Sequence, residues 1–211
     1  MIVHPKEFLQ GVHSLCRAHE VLLIADEVLT GFGRCGRMFA CDLAGVAPDL
    51  MCVSKGITGG FLALGATLAT EEIRHQFSNP DDAFFHGHSY TGNPLACAAA
   101  VANLEIFETE GVWERIRQIT TQHEEYLRRF VSHPKVAEIR QIGTIAVIEM
   151  RSSDPGYFSS IRSRLYRFFI EKRVLLRPLG NVIYILPPYC ISRQDLSYVY
   201  EVIAEALEHI D

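Results

Sequence analysis

The stretch from Val21 to Thr70 limits what this chain can fold into more than any other. It reads VLLIADEVLTGFGR, then a turn-rich connection, then PDLMCVSKGITGG and ALGATLAT. Two apolar runs each end in one charged residue: Val21 to Ala25 in Asp26, and Leu50 to Ser54 in Lys55. Short apolar runs bounded by Gly, Pro and Asp predict buried strands of a parallel sheet. In open α/β sheets, ligands bind beyond the carboxyl ends of the strands. Two such strands side by side would place a carboxylate and an amine on one rim.

Taken singly, Asp26 reads as a turn or cap residue and Lys55 as solvated surface. Taken together, they have a specific chemical use. Pyridoxal phosphate needs a lysine for its Schiff base and an acid beside its ring nitrogen. The acid keeps that nitrogen protonated, and the displaced lysine moves protons as general base and acid.

The motifs around this pair are long and ordered. Asp26-Glu27-Val28 is followed by Thr30-Gly31-Phe32-Gly33-Arg34, then Ser54-Lys55-Gly56 and Gly59-Gly60. Further on come His86-Gly87-His88-Ser89-Tyr90-Thr91-Gly92-Asn93-Pro94 and Arg177-Pro178-Leu179-Gly180-Asn181-Val182-Ile183-Tyr184, with Leu186-Pro187-Pro188. Nearly the whole chain resembles the class-III pyridoxal-phosphate aminotransferases. The resemblance implies fold type I, with Lys55 and Asp26 as catalytic and cofactor-binding residues. It implies that Gly87 and Ser89 reach the phosphate of a neighbouring subunit's cofactor, so that a homodimer shares its sites. It implies that Arg177 holds a substrate carboxylate and that Tyr184 lines the substrate pocket. The Arg177–Pro188 segment is similar to the biotin-pathway branch, which makes 7,8-diaminononanoate from 8-amino-7-oxononanoate with S-adenosylmethionine or lysine as amino donor. Another class-III transaminase acting on ω-amino compounds is the alternative, as is an inactive fragment that needs a partner chain. Family members carry a comparable length of chain before the position of Met1. That half supplies sheet strands, a Gly/Ser phosphate loop and an aromatic that stacks on the cofactor, so a partial chain, inactive alone, is expected.

Composition excludes other classes. The chain has 211 residues, 48% hydrophobic and 21% charged, with a formal charge of -5, ordinary values for a globular protein. Without a basic run or RNP-like motif, nucleic acid is not an expected partner. No run is long and apolar enough to span a bilayer, and MIVHPKEFLQ lacks the pattern of a signal peptide. The six cysteines form no C-x-x-C pair and no zinc spacing with His, so no metal is expected. Cys52 and Cys97 lie in apolar segments that read as core, which favours free thiols in a cytoplasmic protein. The Gly-x-Gly of Gly31 to Gly33 lacks the rest of a dinucleotide fingerprint.

In order, the pattern predicts a helix over Lys6–His19, the strands ending at Asp26 and Lys55, and a third strand over Ala63–Ala69. A short helix capped by Thr70 follows, then an aromatic loop over Phe84–Gly92 and a helix capped by Asn93 with Pro94 at its first position. From Val112 the α/β alternation stops. Helices are expected over Trp113–Val131 and Tyr157–Arg173, and two strands around Gly143. A hairpin of Val174–Arg177 with Val182–Leu186 is also expected. A last helix opens at the capping box of Ser192 and Asp195. The expected architecture is part of a large α/β domain, 1–111, followed by a small α+β domain, 112–211.

Overall fold

The structure, a computed structural model, describes residues 1–210. The chain divides into two compact units, His4–Trp113 and Glu114–Asp211 with Met1–Val3.

The first unit opens with α1 (Lys6–Ala18), whose Leu9, Val12 and Cys16 lie on one face and pack on Leu23, Ala44 and Val46. Strand β1 (Ile24–Asp26) follows, then α2 (Cys41–Ala44) and β2 (Leu50–Val53). Strand β2 runs into a 3-10 turn, Lys55–Thr58. Then come β3 (Ala66–Ala69), α3 (Glu71–His75) and α4 (Pro94–Thr109). Asn93 caps α4 by accepting from Leu95 N at 3.0 Å, whereas Thr70 stands before α3 without a side-chain cap bond.

The sheet order is β1-β2-β3. Strands β1 and β2 are parallel, with Ile24 opposite Leu50 and Asp26 opposite Cys52. Strand β3 returns antiparallel, Val53 opposite Ala66; the connection carries a tight turn rather than the crossover helix that a parallel return requires. These strands are less buried than their composition predicts. Leu23 and Val53 are buried, but Ile24 is 62% exposed and Leu68 49%. Successive strand residues face opposite sides, and α1 and α2 cover only the side of Leu23. Cys52 is likewise only half-buried and Cys97 is exposed, contrary to their reading as core; the buried thiols are Cys35 and Cys41, and all six cysteines are free.

The second unit has its own core. Helix α5 (Val112–Leu127) leads to a 3-10 turn at Arg128–Phe130, then to β4 (Val136–Ile142) and β5 (Ile145–Met150). Helix α6 (Ile161–Glu171), β6 (Val182–Ile185) and α7 (Arg193–His209) complete it. The order β4-β5-β6 is antiparallel throughout. The expected hairpin of Val174–Arg177 with β6 does not form. Strand β6 pairs instead with β5, Ile183 opposite Ile148, where both side chains are fully buried. Helix α6 starts later than its periodicity predicts, because Asp154 accepts from Ser160 N at 2.9 Å and from the Ser152 hydroxyl at 2.7 Å. Those bonds hold the preceding residues as a loop. Ser192 caps α7, its hydroxyl accepting from Asp195 N at 3.0 Å.

Ala146, Ile148, Leu165, Phe169, Leu196, Tyr200 and Leu207 lie at the centre of a single core cluster. Among the described residues no helix is long and apolar enough to cross a membrane.

Candidate active site

The parallel pairing of β1 and β2 puts their carboxyl ends on one rim. Asp26 is the last residue of β1, and Lys55 follows the end of β2 by two positions. Glu27 N donates to Cys52 O at 2.9 Å, which extends the pairing to that rim. Both Asp26 and Lys55 are exposed. Asp26 Oδ1 accepts from Val28 N at 3.0 Å, which fixes the carboxylate against its own turn.

Lys55 adopts φ 43, a left-handed backbone that a non-glycine residue rarely takes. Such a conformation costs of order 1–3 kcal/mol and persists only where the surroundings over-determine it. Here the turn is closed by Gly59 N on Gly56 O at 3.1 Å and Gly60 N on Lys55 O at 3.2 Å. The Ser54 hydroxyl donates to Leu64 O at 2.8 Å and the Thr58 hydroxyl to Leu62 O at 2.6 Å. Gly56 is pressed on Phe32: a Cβ there would lie 2.9 Å from the phenylalanine Cβ. A side chain at 56 therefore has no room, and the backbone beside Lys55 stays bare.

The loop after β1 is organised by Glu27, a buried carboxylate. It accepts from Cys41 N at 2.8 Å, from Ala40 N at 3.0 Å and from the Thr30 hydroxyl. These bonds tie the start of α2 back to the end of β1. Burial pushes the Cys41 thiol up to about 12, with Glu27 adding to it. Burial and then Glu27 push Cys35 up to about 11. Neither thiol is an available nucleophile at neutral pH.

A cavity of about 960 Å³ lies between Lys55 and the start of α4. Ser54, Lys55 and Gly60 line one side; His88, Tyr90, Thr91 and Asn93 line the other. Gly87 and Ser89, expected as phosphate contacts, are exposed in this loop and do not line the cavity. The loop holds its own shape. His88 N donates to the Thr91 hydroxyl at 3.0 Å, and Tyr90 N to His88 Nδ1 at 3.2 Å. The amino end of α4 brings a partial positive charge to this side, which suits an anion.

Arg177 and Tyr184 lie in the second unit and share a cavity of about 460 Å³ with Leu186, Pro187 and Pro188. Arg177 is exposed and Tyr184 half-buried on β6, opposite Val147. Arg177 also lines a larger hollow, about 820 Å³, with Ser160, Arg162, Ser163 and Tyr166. The structure thus brings Lys55 to the rim of Asp26, and Arg177 to Tyr184. Among the described residues no group of three or more His, Cys, Asp or Glu is placed to hold a metal ion.

Two residues escaped the sequence reading. Glu27 was visible only as the neighbour of Asp26, and its role depends on backbone thirteen and fourteen positions away. Asn103 interrupts an alanine-rich helix, an unfavourable place for asparagine. Its amide donates to Gly56 O at 2.9 Å and to Ile57 O at 3.2 Å.

Residues 1–207 match the family description "Aminotransferase class-III". The adenosylmethionine-8-amino-7-oxononanoate aminotransferase of Synechococcus elongatus is 47% identical over 97% of this chain and 48% of its own length. Its namesake in Geobacter sulfurreducens is 40% identical over the whole chain and 48% of its own length. The crystal structure of the Methanocaldococcus jannaschii enzyme of that name superposes with a TM-score of 0.92 at 38% identity, covering 100% of this chain and 51% of that one. An amine transaminase from an uncultivated Pseudomonas species, crystallised with pyridoxal phosphate bound, gives 0.90 at 34% identity, covering 100% of this chain and 49% of that one. The chain spans about half the length of the curated relatives it matches. Its mixed α/β fold is that of part of a fold type I transferase, and by a match across almost its whole length the chain belongs to the class-III aminotransferases.

Proposed function

We propose that this chain forms the C-terminal half of a transaminase that converts 8-amino-7-oxononanoate to 7,8-diaminononanoate in biotin biosynthesis. The observation that carries the reading is the shared rim of Lys55 and Asp26 on two adjacent parallel strands. The relatives' names supply the substrate, and the cofactor proposed with it is pyridoxal 5'-phosphate.

The residues present fit that cofactor. An amine and a carboxylate stand on one rim, and Gly56, which cannot accept a Cβ, leaves bare backbone beside the amine. When bound, the cofactor supplies an electron sink for the carbanion left when a substrate amine loses its α proton. Lys55 Nζ takes that proton and returns it, as general base and then general acid. The Asp26 carboxylate holds a proton on the ring nitrogen by charge pairing. Gly87 and Ser89 hold the phosphate of the neighbouring subunit in a homodimer with shared sites. Arg177 grips the substrate carboxylate through paired N–H donors, and its common cavity with Tyr184 supports a substrate role for both. The amino donor is S-adenosylmethionine or lysine. The compartment proposed with this function is the cytoplasm.

A second reading, an ω-amine transaminase, is favoured by the likeness to the Pseudomonas amine transaminase. The test is to incubate the chain, alone and joined to the remaining half of a relative, with pyridoxal phosphate, reduce with borohydride and map the peptides. A pyridoxyl group on Lys55 is expected, weakly in the chain alone and fully in the joined protein. Transamination of 8-amino-7-oxononanoate rather than simple amines is expected of the joined protein only. A label on any other lysine would overturn the assignment, and preference for simple amines would select the second reading.

A further inference from the structure

Asn103 lies nine residues beyond Pro94, about 13 Å further along α4 than the end that lines the Lys55 cavity. Its side chain reaches out of the helix to the turn that carries Lys55. The two N–H bonds of its amide divide between Gly56 O and Ile57 O. Its Oδ1 lies so close over Gly59 that a Cβ there would stand 2.9 Å from it. One side chain therefore touches three of the four residues that follow Ser54 and Lys55 in the turn. The same turn also meets Phe32, whose side chain leaves no room for a Cβ at Gly56. The left-handed Lys55 is held between these two grips, one from the loop after β1 and one from α4.

We infer that Asn103 is a positioning residue for Lys55: it clamps the Lys55–Thr58 turn to α4 and so fixes the amine relative to the amino end of that helix. This inference rests on the proposed role of Lys55. The clamp itself does not, and the two are separable by experiment. Helix α4 is a rod with the cavity wall at one end and the clamp near its middle. Small displacements of a reacting group are costly for catalysis, so a fixed distance between these two points has functional value. Asn103 supplies direction, because its two donors fit two carbonyls.

The experiment compares Asn103→Leu, which keeps the branching at Cγ and removes the donors, with Asn103→Asp, which keeps the shape and replaces the donors with acceptors. Exchange of the Gly59 and Gly60 amides is followed by hydrogen–deuterium mass spectrometry. Asn103→Leu should raise their exchange about tenfold, leaving peptides of Glu114–Asp211 unchanged. Asn103→Asp should raise it further, because a carboxylate then faces the two carbonyls that the amide had bonded. Packing alone predicts no effect of Asn103→Asp, which keeps the shape. The rate at which pyridoxal phosphate and borohydride label Lys55 should fall about tenfold in both variants at pH 8. In the protein joined to the remaining half, kcat should fall with it while KM for the amino donor stays within about threefold. Unchanged exchange at Gly59 and Gly60 would overturn the clamp. Loosened exchange with labelling at the normal rate would overturn the positioning of Lys55. If the unaltered chain takes no label on Lys55, the transaminase reading fails instead, and exchange alone decides for or against the clamp.

Discussion

The chain contains two three-stranded sheets of similar size that are enclosed to different degrees. In the sheet β4-β5-β6, Ala146, Val147, Ile148 and Ile183 have no exposed surface, and helices α6 and α7 contribute Leu165, Phe169, Leu196 and Tyr200 to the same cluster. In the sheet β1-β2-β3, apolar residues of comparable type are half open to solvent, Ile24 and Leu68 among them. What the first unit has instead is a set of polar ties: Glu27 to the start of α2, Asn103 to the Lys55 turn, Asp49 Oδ2 to Leu23 N at 2.7 Å. The lesson is that the second sheet is enclosed by its helices, whereas the first, packed by α1 on the side of Leu23, leaves more of its apolar surface open and has its loops fixed by bonds. The loops fixed in this way are the ones that carry Asp26 and Lys55.

The largest contrast should appear on truncating one leucine in each sheet's surroundings. Leu165→Ala removes a fully buried side chain and should cost about 3 kcal/mol in the denaturant unfolding of its unit, within the usual range for such cavities. Leu68→Ala removes one that is 49% exposed and should cost less than about 1 kcal/mol. Equal losses at the two positions would erase the distinction between the units.

Acid should weaken the second unit selectively. His123 is fully buried, 2.6 Å from the Tyr200 hydroxyl and 3.2 Å from Thr144 O. Burial pulls it down from 6.5 to about 4, and the Thr144 carbonyl opposes that only in part. The folded state therefore prefers the neutral ring. Its contribution is complete above the unfolded value near 6.5 and is lost as the pH falls toward about 4. By linkage the loss is about 3 kcal/mol across that window. Urea midpoints at pH 7 and pH 4.5, followed by fluorescence, check this. His123→Asn should lose stability at pH 7 but flatten the dependence; an unchanged slope in that variant would assign the acid sensitivity to another group.

A smaller effect is expected from Glu27→Gln, which turns an acceptor of two backbone N–H groups into a side chain that faces one of them with its own N–H. The first unit should lose about 1–2 kcal/mol, the usual cost of a buried unmade bond. The thiol offers the sharper readout. Glu27 is a secondary cause of the raised Cys41 value, after burial, so alkylation of Cys41 at pH 9 should speed up. No change in alkylation would mean that burial alone holds the thiol protonated.

Much of the fold was legible where its signals are local. Apolar runs ending in Asp26 and Lys55, Asn93 with Pro94, and Ser192 with Asp195 all act within a few residues of themselves. Such signals depend on the backbone's own hydrogen bonding and steric limits, which a linear sequence displays directly. The placement of an amine and a carboxylate on one rim followed from the two runs being neighbours, and the parallel register of β1 and β2 made them so.

What only the tertiary structure decided were the choices made between distant segments. The Gly180-Asn181 turn signal placed Val174–Arg177 beside β6, but β5 offered a longer and mostly buried partner, and β6 pairs there. Cys97 reads as core among alanines, yet α4 turns Ala96 and Ala100 inward and leaves Cys97 on the open side. The turn that follows Lys55 meets Phe32 at Gly56, and Asn103, nearly fifty residues on, at Gly56 O and Ile57 O. Hydrophobicity says that a residue prefers to be covered, and propensity says which shape it prefers locally. Neither names the partner, because burial is non-directional and the partner is chosen by which surfaces the whole fold brings together.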